Sequence, residues 1–155
     1  MTIQDLSQLL INKSFTISVA ESCTGGNLSA LLTSISGSSV YFDRGYITYS
    51  NQAKVDMLNV QTASLKSFGA VSEQIATEMV KGVMKNSNSD IGVSVTGIAG
   101  PTGGTKNKPV GMVCFGFCIQ DKCFSITQNF KGNRETVVAS SVDFVIQTLV
   151  DELSA

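Results

Sequence analysis

Histidine is absent from all 155 residues, which removes the commonest general base. Any hydrolytic chemistry here needs a substitute, and a lysine kept neutral by burial is the usual one. The four cysteines, at 23, 114, 118 and 123, form no C-x-x-C pair and have no histidine to complete a zinc site, so a structural metal is not expected. Cys114 and Cys118 sit in an apolar run, where reduced thiols behave as small buried hydrophobes and fit a cytosolic setting. Charge is scarce. Eleven basic residues against twelve acidic ones leave a net charge of -1, with no overall electrostatic pull toward nucleic acid or an anionic membrane surface. No apolar run reaches membrane-spanning length, and Met1-Thr2-Ile3-Gln4-Asp5 lacks the basic start of a signal peptide. The expected location is cytoplasmic. Internal repeats, coiled-coil heptads and low-complexity linkers are also missing.

What remains is a chain that is 43% apolar and 15% charged, long enough for one domain with a real core, expected to span 1–155. Ile3, Leu6, Leu9 and Leu10 mark a first helix. Thr16 to Ala20 reads as a buried strand running through Glu21-Ser22-Cys23-Thr24-Gly25-Gly26 into a helix with Leu28, Leu31, Leu32 and Ile35. Tyr46-Ile47-Thr48-Tyr49 predicts a second strand, with Asn51 capping a short helix that carries Lys54 in its first turn. Leu65 and Phe68 belong to a small helix, and Ser72 caps a longer one through Met84. Asp90 to Thr96 is a strand with branched residues on one face and small ones on the other. Gly97 to Pro109 is a long loop holding both prolines. Val110 to Ile119 and Lys122 to Phe130 form a hairpin, and a last helix starts at Gly132-Asn133. The order α-β-α-β-α-α-β-β-β-α predicts an α/β fold, a three-layer α/β/α sandwich around a mixed, mainly parallel sheet with a C-terminal antiparallel hairpin. Ligands in such folds sit beyond the carboxyl ends of strands, where Ser22, Lys54 and Thr96 fall.

Four features suggest chemistry. The Ser22 to Gly26 turn joins a strand to a helix start, where free N–H groups suit a phosphate, carboxylate or oxyanion. Ser38 and Ser39 precede the strand that leads to Lys54. The 97–109 loop offers many backbone donors, and Lys106 and Lys108 on it read as solubilising charges. Arg134, at a helix start, suits a phosphate bidentately. Cys23 adjoins a helix N-terminus but has no imidazole partner, so it reads as a small half-buried residue.

In order along the chain, Ala20-Glu21-Ser22-Cys23-Thr24-Gly25-Gly26, Gly37-Ser38-Ser39, Gly45 to Asn51 with Lys54, Gly69-Ala70-Val71-Ser72 and Thr96 to Pro101 resemble the CinA C-terminal domain family. The resemblance implies a metal-independent amidohydrolase that needs no cofactor. Its substrate would be nicotinamide mononucleotide, converted to nicotinic acid mononucleotide and ammonia in pyridine nucleotide (NAD) recycling. Larger members carry an additional N-terminal domain, and its lack here favours the stand-alone deamidase. The resemblance assigns a serine–lysine dyad to Ser39 and Lys54. Ser22 is an oxyanion donor or rival nucleophile. Thr24, Gly25, Gly26, Tyr49, Thr96, Gly97 and Arg134 become substrate-binding positions. A homodimer is expected, without nucleic-acid or membrane partners. The competing reading is a non-catalytic nucleotide-binding or interaction module of the competence-associated type.

Overall fold

The computed structural model describes residues 2–155. Its elements are α1 (Ile3–Lys13), β1 (Ile17–Glu21), α2 (Asn27–Leu32), a 3-10 turn (Ser38–Val40), β2 (Phe42–Ile47), α3 (Asn51–Leu58), α4 (Thr62–Phe68), α5 (Glu73–Asn86), β3 (Ile91–Gly97), β4 (Met112–Ile119), β5 (Lys122–Asn129) and α6 (Arg134–Ser154). The five strands lie in the order β2-β1-β3-β4-β5. β1 runs parallel to β2 and β3, and β4 is antiparallel to both β3 and β5. Four strands therefore point one way and β4 the other, which is the expected mixed α/β/α architecture.

Alternation along the strands divides the core into two. Val19, Val93, Val95, Phe115 and Phe117 pack with Leu6, Leu10, Val145 and Leu149, placing α1 and α6 on one face. Ala20 packs with Leu58, Ile75, Met79 and Val83, placing α3 and α5 on the other. Small residues on this second face let α5 lie close. A Cβ added at Gly116 would stand 2.5 Å from the Ala76 carbonyl oxygen, a backbone atom that cannot swing aside. Gly116→Ala is accordingly expected to lower stability by about 1–3 kcal/mol through overpacking, read as a reduced denaturant midpoint.

Three local expectations change. The second strand starts at Phe42 and ends at Ile47, because Thr48 and Tyr49 already turn toward α3. The cap of α3 is Ser50, whose Oγ accepts from the Ala53 N–H at 3.0 Å, rather than Asn51. Cys118 is not a lone reduced thiol. It lies directly opposite Cys123 in the β4–β5 hairpin, and the two form a disulfide with Cα atoms 4.1 Å apart. The two-residue turn at Gln120-Asp121 sets that register, which residue spacing alone left open. Cys114 is free and buried. No helix among the described residues is long and apolar enough to cross a membrane.

Candidate active site

Parallel pairing of β1 with β2 and β3 brings three strand ends to one edge of the sheet. Ser22 follows β1, and its N–H donates to the Val95 carbonyl at 2.9 Å. Thr48 follows β2, and its N–H donates to the Glu21 carbonyl at 2.8 Å. Lys54 projects from the first turn of α3 into the gap. It is 1% exposed, one of the most deeply buried large side chains in the molecule. Lys54 Nζ lies 3.0 Å from Ser22 Oγ, 3.0 Å from the Thr48 carbonyl and 3.3 Å from the Tyr49 carbonyl. Burial pushes its pKa below the ordinary lysine value of 10.5, with Cys23 opposing the shift. Among the described residues, no carboxylate forms an ion pair with it.

Glu21, the last residue of β1, fixes the turn that carries Ser22. Its fully buried carboxylate accepts from the N–H groups of Gly26 (3.2 Å), Leu28 (2.9 Å) and Ser29 (2.9 Å) and from Ser29 Oγ (2.7 Å). The start of α2 is therefore already neutralised from inside. This corrects the reading of that helix start as an anion site. Gly25 and Gly26 adopt φ of 53° and 106° to make the turn, and their N–H groups donate to the Ser22 carbonyl and to Glu21. Thr24 is fully buried and lies off the cleft. None of the three lines the cleft. Cys23, which does line it, has an N–H that donates to no backbone carbonyl among the described residues.

The cleft at this edge has a volume of about 340 Å³ and is lined by Ser22, Cys23, Tyr49, Asn51 and Lys54, by Ala70 and Val71, by Thr96 to Gly100, and by Thr102, Gly103 and Arg134. Burial pushes the Cys23 thiol up to about 12, so it stays protonated and inert. Arg134, at the start of α6, donates to the Gly100 carbonyl at 2.8 Å and to Tyr49 Oη at 3.0 Å, spanning the mouth and tying the 97–109 loop to the end of β2. Lys108 is no mere solubilising charge, because its Nζ donates to the Phe68 carbonyl and pins the other end of that loop. Roomier grooves run along α6 beside Leu31, Val138 and Val142, but they set no nucleophile against a buried base.

Ser39 is not part of this arrangement. It lies exposed in the 3-10 turn that precedes β2, whereas Lys54 lies beyond that strand's other end. Six residues at about 3.3 Å each put roughly 20 Å between the two. The expected Ser39–Lys54 pairing is thus corrected: a strand that separates two residues in sequence also holds them apart in space. Of the serines considered, the structure brings Ser22 to Lys54. Sequence reasoning missed the role of Glu21 and of the Thr48 and Tyr49 carbonyls. An acid just before a small-residue turn was a usable signal for the first. Backbone carbonyls leave no signal.

The CinA C-terminal domain matches residues 2–153. The chain belongs to the CinA C-terminal domain family. It is 45% identical over 149 residues to the nicotinamide-nucleotide amidohydrolase PncC of Enterobacter agglomerans, covering 96% of this chain and 91% of that protein. A putative competence-damage inducible protein of Clostridium acetobutylicum is 48% identical over 148 residues, and there the match spans 36% of the relative. The chain thus spans nearly all of one relative and about a third of the other. Among solved structures, a CinA superfamily protein of Klebsiella pneumoniae superposes with a TM-score of 0.94 at 34% identity, over 98% of this chain and 95% of that one. The family's fold is the three-layer mixed sheet described above.

Proposed function

We propose that this protein is a nicotinamide-nucleotide amidohydrolase that converts nicotinamide mononucleotide to nicotinic acid mononucleotide and ammonia, with Ser22 as nucleophile and Lys54 as base. The observation that carries the mechanism is the buried 3.0 Å contact between Lys54 Nζ and Ser22 Oγ. The substrate rests on the likeness to PncC.

A neutral amine has two N–H groups and one lone pair. With the N–H groups on the Thr48 and Tyr49 carbonyls, the lone pair is left for the Ser22 hydroxyl. Lys54 takes that proton as Ser22 Oγ bonds to the carboxamide carbon, and the carbonyl electrons move onto oxygen. The N–H of Cys23, the residue after the nucleophile, stabilises the resulting oxyanion. Collapse breaks the C–N bond, and the Lys54 ammonium gives its proton to the departing ammonia. Water then adds to the acyl ester with Lys54 again as base, and Ser22 leaves with its proton restored.

Arg134 is the cation at the mouth. Two of its five N–H groups are held by Tyr49 and Gly100, which aims the remainder at an anion such as the substrate phosphate. Tyr49, expected among the substrate-binding positions, serves here by placing the arginine. Arg134→Met is expected to raise KM by roughly 10- to 100-fold with a smaller change in kcat. The reading sets the protein in pyridine nucleotide recycling as a cytoplasmic homodimer. Exposed Val40, Ile47 and Met57 around the free edge at β2 support the dimer. The test is ammonia release from nicotinamide mononucleotide by the purified protein, alongside binding. Turnover supports the hydrolase, and tight binding without ammonia supports the non-catalytic module instead.

A further inference from the structure

Thr96 is the lateral neighbour of Ser22. β1 and β3 pair in register through Glu21 and Val95, and the Ser22 N–H donates to the Val95 carbonyl at 2.9 Å. Side chains alternate along a strand, so Ser22 shares the face of Ala20, and Thr96 shares the face of Ser94. Ala20 packs on α3 and α5, and Ser94 Oγ donates to the Ala76 carbonyl in α5. The hydroxyls of Ser22 and Thr96 therefore stand on one face of adjacent strands, which are spaced about 4.8 Å apart. Both line the cleft.

Thr96 is 1% exposed, and its Oγ1 donates to the Ala70 carbonyl at 2.9 Å. A hydroxyl has one proton and two lone pairs. With the proton committed, only lone pairs face the cleft. A carboxamide attacked by Ser22 carries an –NH2 donor beside the reacting carbon. The product carries carboxylate oxygens at the same place, which accept but cannot donate. To meet them with a proton, Thr96 would have to abandon the Ala70 carbonyl in a buried setting.

Building on the amidohydrolase reading, we infer that Thr96 is the specificity-determining acceptor of the site: it holds the –NH2 of the amide substrate and repels the carboxylate of the acid product. The same contact orients the leaving nitrogen and clears the product after hydrolysis.

The experiment uses a Ser22→Ala background, which binds without turnover, and measures Kd for nicotinamide mononucleotide and for nicotinic acid mononucleotide by calorimetry. With Thr96 intact, the amide is expected to bind at least about tenfold tighter than the acid. Thr96→Val should bring the two within about threefold, whereas Thr96→Ser, which keeps the hydroxyl, should preserve the gap. An unchanged preference in Thr96→Val, or equal affinity with Thr96 intact, overturns the inference. The second comparison needs no variant of Thr96, so it holds even if Thr96→Val fails to fold. An intact preference in a protein whose Ser22 form releases no ammonia leaves the acceptor role standing and sinks the hydrolase reading alone. Binding of neither nucleotide overturns both.

Discussion

Ser22→Ala is expected to cut ammonia release from nicotinamide mononucleotide by at least about 10³-fold, the scale of loss seen when one member of a nucleophile–base pair is removed. Ser39→Ala should keep near-normal turnover. The two serines differ in what surrounds them. Ser22 is 8% exposed, sits on a turn locked by the four donors to Glu21, and has an amine 3.0 Å from its hydroxyl. Ser39 stands in solvent on the 3-10 turn before β2, at the far edge of the sheet. Steady-state ammonia release from both variants decides between them. Retained activity in Ser22→Ala would end the assignment. A loss in Ser39→Ala at unchanged thermal stability would point back to the other serine.

Lys54→Met should remove activity on the same scale, and Lys54→Arg should not restore it, because a guanidinium does not deprotonate in a protein and so cannot act as a base. Keeping the positive charge and the donors is therefore not enough. The pH profile carries the same point. Burial lowers the Lys54 pKa, and the working form is neutral, so kcat/KM should rise as pH climbs through the folded-state value and then level off below 10.5. Stability follows with a definite sign. The folded pKa lies below the unfolded one, so between them the unfolded chain binds more protons, and stability rises with pH across that window. Below the window the full cost of burying the ammonium is present. Denaturant unfolding at neutral pH and near pH 10 should show this rise in the parent protein and lose it in Lys54→Met. A pH-independent kcat/KM across the range would contradict the role of Lys54 as base.

Much of the architecture was legible because periodicity reports burial. Val138, Val142, Val145, Ile146, Leu149 and Leu153 recur at the spacing of a buried helical stripe, and the alternation of helices and strands foretold helices on both faces of the sheet. Ser72 and Asn133 cap α5 and α6, accepting from the Ile75 and Thr136 N–H groups. The disulfide was not legible, since cross-strand pairing of Cys118 with Cys123 depends on hairpin register. Nor was the internal cap on α2, because Glu21 reaches across the turn to groups up to eight residues on.

The segment from Gly37 to Lys54 shows where the division falls. By itself the sequence determined the residue types: no histidine, a lysine at the start of a helix, and serines on either side of a strand. Tertiary structure alone decided which serine meets the lysine. Parallel strands run their carboxyl ends to a common edge, so Ser22 after β1 and Thr96 at the end of β3 converge with Lys54. Ser39, although nearer along the chain, is carried to the opposite edge by the length of β2. Proximity in a parallel sheet is set by strand direction rather than by separation in sequence, and direction is a property of the folded chain.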